Sequence, residues 1–273
     1  MDLKELTTSL VSELKLRTKP VAVKLLGDGL GDLSSRVMRP LRDFRRKLAF
    51  CQMVAMSRYY GFAVGAEMGE ISCPGTLLVL GMMPPPPFVK EGMLSLGLYA
   101  ETREAAAKID SSLPSLRPGS VKAIVTAPLD EAPFEPDAFL VYGTPGQMVK
   151  LAAAYVYKTG EPLRLETFAK AGSDTAVAAA LREGRPRLFL PGLGDRMVGR
   201  VEDYEMGFAS PMSWLPEIVD GLKKQTSLGF ITYPPAPILT YTARFDLIPV
   251  VGEYYKKVLE EAERLAGGQG GQG

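Results

Sequence analysis

Gln52-Met53-Val54 recurs later in the chain as Gln147-Met148-Val149, and Tyr60 and Gly65 recur at the same offset as Tyr155 and Gly160. The correspondence continues at growing offsets, and it pairs Cys73-Pro74-Gly75-Thr76 with Gly172-Ser173-Asp174-Thr175, Leu96-Gly97-Leu98 with Met206-Gly207-Phe208, and Ile109-Asp110 with Val219-Asp220. A unit that occurs only twice is not a solenoid, because a solenoid needs three or more units to close its core. The pattern therefore predicts an internal duplication, with two similar halves packed about a pseudo-twofold axis.

Strand and helix patterns alternate along both halves, which predicts an α/β or mixed α+β fold. Residues 1–135 form the first predicted half, with an N-terminal helix and a basic insert. Residues 136–266 form the second half, with a C-terminal helix, and residues 267–273 form a flexible Gly/Gln tail. The pattern does not determine the strand order.

Several elements follow from periodicity and capping signals. The Gln-Met-Val segments are predicted helices that end at Gly65 and Gly160, and Cys73 is a predicted N-cap before Pro74, with Ser173 or Asp174 as the cap in the other copy. The other predicted elements are a helix at 2–16, strands at Val21–Leu26, Ala138–Tyr142, Val121–Thr126, Arg187–Leu190 and Phe230–Tyr233, and helices at 100–110, 214–222 and 248–265.

The chain of 273 residues has no histidine, no asparagine and only five glutamines, which is typical of a thermophilic source. The absence of histidine excludes a Ser-His-Asp or Cys-His pair within one chain, and it excludes His-ligated zinc, iron or haem. Any general acid-base catalysis must therefore use Asp, Glu, Lys, Tyr or Cys side chains. The net charge of +1 gives no general attraction to nucleic acid, so we expect no nucleic-acid partner.

No apolar run is long enough to cross a bilayer, and Met1–Leu6 has no apolar export signal. We therefore expect a soluble cytoplasmic protein that makes no membrane contact. In a reducing cytosol its two cysteines are not expected to form a structural disulfide.

Cys51 and Cys73 each lie at or near a predicted helix start, where backbone N–H groups would stabilise a thiolate. If both helix starts face the pseudo-twofold axis, the sulfurs approach each other. Three interpretations stay open: a reversible dithiol, two ligands of a metal or iron-sulfur cluster, or two buried core residues. A homodimer would offer two thiolates from each chain to a cluster that needs four.

A glycine-containing turn, Leu190 to Arg196, follows a predicted strand. Its backbone N–H groups and Arg196 could hold an anionic ligand, although a tight turn with a surface pair of Asp195 and Arg196 also explains it. The turn is neither a dinucleotide fingerprint nor a P-loop. The predicted cofactor-binding set is Gln52, Gly192, Gly194, Asp195 and Arg196.

Two further charged groups have a structural and a functional interpretation. The insert from Arg36 to Lys47 carries six positive charges and one acid, which is typical of a solvated helix face and is also compatible with a phosphate-bearing ligand. Lys158 lies beside Tyr155 and Tyr157, yet a helix C-terminus capped by Gly160 explains it as well. The predicted catalytic set is Cys73, Lys158, Asp174 and Glu205, with Asp195 as a further candidate acid or base.

These residues also resemble a known family, domain-of-unknown-function family 169, the uncharacterised ArCR group of archaea and bacteria. The matching motifs run in order from about residue 15 to 235: Lys19-Pro20-Val21-Ala22-Val23, Cys51-Gln52-Met53-Val54-Ala55, Ile71-Ser72-Cys73-Pro74-Gly75, Tyr142-Gly143-Thr144-Pro145-Gly146-Gln147-Met148, Lys158-Thr159-Gly160-Glu161-Pro162, Leu190-Pro191-Gly192, Gly194-Asp195-Arg196 and Asp203–Phe208. The resemblance implies no activity. Members of the group can carry a cysteine near Gly172-Ser173, where this chain has none.

Two functional hypotheses follow. In the first, a homodimer binds a cofactor, a metal cluster or a small anionic ligand between its halves, with Cys51 and Cys73 as ligands or redox thiols. In the second, the chain is an enzyme on a small metabolite, in which a Cys73 thiolate is the nucleophile and Lys, Asp or Glu groups transfer protons.

Overall fold

The structure, a computed structural model, describes residues 2–229, 232–234, 248 and 250–267. Six strands form one sheet in which all neighbouring strands are antiparallel: β1 (Val21–Leu26), β2 (Val64–Glu67), β3 (Ala123–Pro128), β4 (Ala138–Gly143), β5 (Arg187–Phe189) and β6 (Met206–Pro211). The strand order is β2-β3-β1-β4-β6-β5. The fold is therefore mixed α+β, and strands from both predicted halves share the sheet. The duplication, its axis and the domain bounds remain predictions.

Eleven α-helices lie in the described part of the chain: α1 (Leu3–Leu14), α2 (Pro40–Asp43), α3 (Phe50–Tyr60), α4 (Pro74–Val79), α5 (Pro87–Lys90), α6 (Arg103–Ser112), α7 (Pro145–Thr159), α8 (Gly172–Glu183), α9 (Leu193–Met197), α10 (Leu215–Ser227) and α11 (Gly252–Gly267). Short 3₁₀ helices cover Gly31–Ser35, Met68–Glu70, Leu129–Glu131 and Met212–Trp214. None of the helices in these ranges is both long and apolar enough to span a membrane.

Side chains alternate between the two faces of the sheet along each strand, so each face has its own set of buried residues. Helices cover both faces. Val21 and Val23 of β1 belong to a core that includes residues of α3, α4 and α8. Ala22, between them, belongs to a second core that includes residues of α1, α7 and α10. This arrangement explains why every residue of β3 and β4 is buried, and it places α3, α4 and α8 together in one layer.

Most predicted elements are present with boundaries shifted by a few residues. Helix α1 begins at a capping box, in which the Glu5 N–H donates to Asp2 Oδ1 at 2.7 Å, and it buries Leu6, Leu10 and Leu14. Cys73 is the N-cap of α4 and Pro74 is the first residue of that helix, as predicted. Gly160 caps α7 with a φ of 70°, also as predicted.

Two predicted helix boundaries are wrong. Helix α3 ends at Tyr60 and is capped by Gly61 at a φ of 74°, whereas Gly65 lies inside β2. The chain turns one residue after Tyr60, because Gly61 adopts the left-handed conformation at no steric cost. Helix α8 has Ala171 as its N-cap, so Ser173 and Asp174 lie buried in its first turn instead of capping it.

Two other predictions fall largely outside the described residues. Phe230 and Ile231 of the predicted strand at 230–233 are among the residues that the structure does not describe. The same holds for the predicted tail from Gly268 onward, while Gly267 is the last residue of α11.

Candidate functional site

A cavity of about 320 Å³ lies beside the layer formed by α3, α4 and α8. Its wall is mostly apolar: Pro74, Gly75, Leu78, Val79, Pro85, Val89, Leu94, Tyr99, Leu113, Pro118, Ala171 and Gly194. The polar lining residues are Cys51, Cys73, Asp110, Ser115, Lys170, Asp174 and Asp195. The cavity thus brings together both cysteines and two of the carboxylates that the sequence identifies as candidates, drawn from both predicted halves.

Cys51 is the second residue of α3 and is 9% exposed. Its S–H group donates to the carbonyl oxygen of Gly194 in α9, with 3.6 Å between the sulfur and the oxygen. Burial raises the pKa of this thiol far above its ordinary value, and the nearby carboxylates of Asp195 and Asp174 raise it further. Cys51 is therefore protonated at neutral pH.

Cys73, at the N-cap of α4, is subject to opposing effects. The N–H groups of Thr76 and Gly75 lower the pKa of its thiol, as a helix start should. Burial and the charge of Asp174 act in the other direction and are stronger, so the net pKa is raised. The expectation of a resting Cys73 thiolate is therefore wrong, because the sequence pattern does not show the desolvation of the sulfur.

Asp174 lies in the first turn of α8 and is 5% exposed. Burial, with a further contribution from the charge of Asp195, raises the pKa of its carboxyl group to about 7. The hydroxyl of Thr76 opposes this rise, yet neither Thr76 Oγ1 nor Asp174 Oδ1 has a hydrogen-bond partner of regular geometry. Asp174 therefore changes charge near neutral pH, and its fully buried Oδ1 atom lies without a hydrogen bond of regular geometry.

Asp195 is a structural anchor between α8 and α9. Its carboxylate accepts hydrogen bonds from Ser173 Oγ at 2.6 Å and from the Gly192 N–H at 2.9 Å. The residue is 3% exposed, so the predicted surface pair of Asp195 and Arg196 is wrong. A Cβ atom at Gly172 would lie 2.6 Å from Asp195 Oδ2, which explains in steric terms why this chain has glycine there.

Lys170 and Asp110 form an ion pair that no sequence pattern predicts. Lys170 Nζ lies 2.5 Å from Asp110 Oδ1, 2.8 Å from Ser95 Oγ and 3.1 Å from the carbonyl oxygen of Leu94. The side chain of Asp110 is 2% exposed and its Oδ2 atom has no partner. The Lys170 ammonium also lies 5.6 Å from the ring centroid of Tyr99. No local sequence motif predicts this pair, because Lys170 and Asp110 are brought together only by tertiary packing.

Two residues of the predicted catalytic set lie outside the cavity lining. Lys158 forms ion pairs with Asp220 at 2.7 Å and Glu217 at 2.9 Å, and these partners raise the pKa of its ammonium. Glu205 is buried and accepts a hydrogen bond from Arg58 at 2.5 Å. Both side chains have structural partners in the described region.

Three residues of the predicted cofactor-binding set also lie outside the cavity lining. Gln52 Oε1 accepts the N–H of Ala49 at 2.9 Å and so helps to cap α3. Gly192 donates its N–H to the carboxylate in α9, and Arg196 donates to the carbonyl oxygen of Glu202 at 2.7 Å. Of that set, only Gly194 and Asp195 line the cavity.

The basic insert is partly neutralised within the fold. Arg39 pairs with Glu70 and, at 3.3 Å, with Glu67, and Arg42 pairs with Asp43 at 2.8 Å. Helix α2 covers only four residues of the insert. Two of the six basic residues, Arg39 and Arg42, are therefore paired with acidic residues of the same chain.

Within the ranges that the structure describes, no three or more Cys, Asp or Glu side chains lie close enough together to hold a metal ion. The two thiols of one chain are thus the most that the cysteines offer to a metal or cluster. Any further metal-coordinating groups would have to come from another chain or from a bound small molecule.

The family comparison covers the whole of this cavity. The model of the uncharacterised ArCR family, domain-of-unknown-function family 169, matches residues 9–221. The chain belongs to this family. An uncharacterised protein of Methanocaldococcus jannaschii is 26% identical over 216 residues, which is 77% of this chain and 90% of that protein. No solved structure matches the chain. Every residue that lines the cavity lies within the region matched by the ArCR model.

Proposed function

We propose that this ArCR-family protein binds a small molecule or cofactor in the cavity, with Cys51, Cys73 and Asp174 in contact with it. The observation that carries the proposal is the cavity itself, whose mostly apolar wall brings Cys51, Cys73 and Asp174 to one space.

The cavity has the size and lining expected for this role. Small-molecule sites have volumes of about 300–1,000 Å³ and apolar walls with a few polar groups. The cavity, at about 320 Å³, lies at the small end of this range. We therefore propose a compact ligand rather than a dinucleotide or another extended cofactor.

The two thiols admit a metal or redox form of the same proposal. In the cytosol that the sequence predicts, both cysteines stay reduced and able to bind a soft metal or to form a reversible disulfide. An iron-sulfur cluster with four thiolates needs a homodimer. Both sulfurs line a cavity, so the cysteines of a second chain would have to enter that cavity to complete the cluster. We therefore favour an organic ligand over an iron-sulfur cluster.

An enzyme is the second candidate, and a specific observation favours it. Asp174 has a pKa of about 7 and its charge acts on the thiol of Cys73. A group that titrates near neutral pH is suited to act as a general base, here toward the proton of a thiol nucleophile. In this form the Cys73 sulfur adds to a carbonyl carbon of the substrate, the S–H proton passes to Asp174, and the electron pair of the C=O bond moves to its oxygen. Lys158 and Glu205 take no part, because they lie outside the cavity lining.

Native mass spectrometry of anoxically purified protein tests the binding proposal. We expect a bound mass in the wild type that is lost in Gly75→Leu. A Cβ atom at Gly75 makes ordinary van der Waals contact with two residues of the cavity wall, at 3.4 Å from Ala171 Cβ and 3.5 Å from Cys73 Sγ, so a leucine there adds side-chain volume at the cavity. The matched control is Gly69→Leu, where a Cβ atom meets nothing within 4 Å.

Elemental analysis and the visible spectrum of the same samples separate the forms of the proposal. An organic ligand predicts a bound mass without iron or zinc, whereas the cluster form predicts colour that disappears in Cys51→Ala and Cys73→Ala. If Gly75→Leu retains all of the bound mass, the ligand lies elsewhere and the proposal is wrong.

A further inference from the structure

We propose that a surface outside the cavity binds single-stranded nucleic acid. The surface consists of residues 44–47 together with Tyr60, Phe62 and Arg200, and we call it the basic-aromatic surface. None of these residues lines the cavity, so this interaction goes beyond the proposed ligand site and does not depend on it. Two properties carry the proposal: neighbouring aromatic rings that are open to solvent, and basic side chains that have no acidic partner.

Three aromatic rings lie side by side on this surface. The ring centroids of Phe44 and Phe62 are 6.5 Å apart, and those of Phe62 and Tyr60 are 5.9 Å apart. Tyr60 is 54% exposed and Phe62 is 37% exposed. Because α3 ends at Tyr60 and the chain turns at the Gly61 cap, these two rings meet at the end of the helix. Exposed rings of this kind are the surfaces on which single-stranded bases stack.

The segment 44–47 is held beside these rings at both of its ends. At one end Phe44 makes the ring contact with Phe62. At the other end the Leu48 N–H donates to the carbonyl oxygen of Glu70 at 3.0 Å, which ties the chain to the 3₁₀ helix after β2. The side chains of the segment are therefore presented next to the exposed rings.

The same surface carries four basic side chains. Arg45, Arg46 and Lys47 follow one another in the segment and all three are exposed. Arg200 places its guanidinium 5.9 Å from the ring centroid of Tyr60 and donates to the Tyr60 hydroxyl at 2.5 Å. Among the residues that the structure describes, none of these four forms an ion pair. Their charges are thus available to an anionic partner.

Nearby acids offset only part of this charge. Asp43, next to the segment, is paired with Arg42 at 2.8 Å. The charge of Glu202 acts on the hydroxyl of Tyr59, so one carboxylate does lie near Arg200, and a clear excess of positive charge remains. The net charge of +1, from which the sequence predicts no nucleic-acid partner, averages this surface with a remainder that is net negative.

The combination of charge and exposed rings favours a single strand over other partners. A second copy of the chain would bring the same positive charges opposite each other, because a twofold interface joins identical surfaces. An acidic protein or a nucleic-acid duplex presents negative charge, but it offers no unstacked base to the rings. A single strand has phosphates for the basic side chains and uncovered bases for the rings.

Fluorescence anisotropy with three anionic probes tests this class. The probes are oligo(U) of about twelve nucleotides, the duplex of that strand with oligo(A), and poly-glutamate of similar charge. At about 50 mM salt we expect oligo(U) to bind at least about tenfold more tightly than the other two, with a steep loss of affinity at about 200 mM salt. Tyr60→Ala and the double variant Arg45→Glu with Arg46→Glu should each weaken oligo(U) binding about tenfold or more.

The chain offers matched controls for both variants. Tyr157→Ala is the control for the ring, since Tyr157 is 52% exposed and lies outside the surface. The double variant Arg117→Glu with Arg182→Glu is the control for net charge. Both of these arginines are exposed, and neither forms an ion pair within the described part of the chain. Both controls should bind oligo(U) as the wild type does.

The outcomes separate specific binding from general attraction to anions. Equal losses in the surface variants and in their controls would overturn the proposal, because binding would then follow net charge alone. Poly-glutamate or the duplex binding as tightly as oligo(U) overturns the single-strand class, and so does an absence of oligo(U) binding. An affinity that is unchanged in Tyr60→Ala also overturns the proposal, because stacking on the exposed ring is part of it.

Discussion

The carboxylate of Asp195 raises the pKa of the Asp174 carboxyl group, which burial has already raised, so that Asp174 titrates at about 7. Asp195 itself accepts hydrogen bonds from Ser173 Oγ and the Gly192 N–H, which hold its carboxylate in place. The two carboxyl groups thus share the wall of one cavity, with only Asp195 fully partnered. This relationship underlies the pH behaviour that we expect.

The stability of the protein should depend on pH through Asp174. Its carboxyl pKa is about 7 in the folded state and near the ordinary 3.8 in the unfolded state. The folded state therefore binds more protons between these values, so this contribution is full below about pH 4 and is lost as pH rises through about 7. At about pH 8 we expect Asp174→Asn to be more stable than the wild type by about 2–4 kcal/mol, with little difference near pH 4. Urea unfolding across this range measures the difference, and an equal difference at every pH would refute the assignment.

Both cysteines should alkylate slowly at neutral pH. Burial raises the pKa of each thiol, and the thiolate is the reactive form. We expect the labelling rate with iodoacetamide to keep rising beyond about pH 9, with Cys73 reacting before the more deeply buried Cys51. Mass spectrometry of time points measures each rate, and urea-unfolded protein is the control with ordinary thiols. A rate plateau near pH 7 would show a stabilised thiolate instead.

Removal of Lys170 should destabilise the fold more than removal of the whole ion pair. Lys170→Met leaves the Asp110 carboxylate buried and unpaired, which costs about 3–5 kcal/mol. The double variant with Asp110→Leu removes both charges and should recover most of that loss. Urea unfolding of the wild type, both single variants and the double variant completes the cycle. Additive effects of the two substitutions would mean that the pair is not coupled.

A side chain at Gly172 should be poorly tolerated. Its Cβ atom would lie 2.6 Å from Asp195 Oδ2 and 2.7 Å from the Gly192 nitrogen, so Gly172→Ala should cost about 1–3 kcal/mol or more. Gly194→Ala is the control, since a Cβ atom there meets nothing within 4 Å. Thermal unfolding should show a clear fall in Tm for the first variant only. Equal Tm values would show that α8 and α9 can separate without loss.

The sequence predicts the scaffold of the site better than its chemistry. Periodicity and capping signals predict α3, α7 and the N-cap position of Cys73, because these features depend on neighbouring residues. The approach of Cys51 to α9 and of Lys170 to Asp110 depends on tertiary packing, which no local pattern records. For the same reason the turn sequence predicts a surface position for Asp195, which is buried.

The directions of the pKa shifts also cannot be predicted from local sequence patterns. A helix start correctly predicts that backbone N–H groups act on Cys73, but it gives no measure of the desolvation that outweighs them. The end of α3 is predicted at Gly65 but lies at Gly61, because the sequence has a glycine at both positions and either one could end the helix. The sequence names Cys51, Cys73, Asp174, Gly194 and Asp195 as candidates and all five line the cavity, but only the structure brings Asp110 and Lys170 to it and gives the directions of the pKa shifts.

A crystal structure of the protein as purified without oxygen tests the central claim most directly. We predict electron density for a compact organic molecule in the cavity, in contact with Cys51, Cys73 and Asp174. The density should be absent in Gly75→Leu and present in Gly69→Leu. A cavity that holds only ordered water in wild-type crystals would contradict the account.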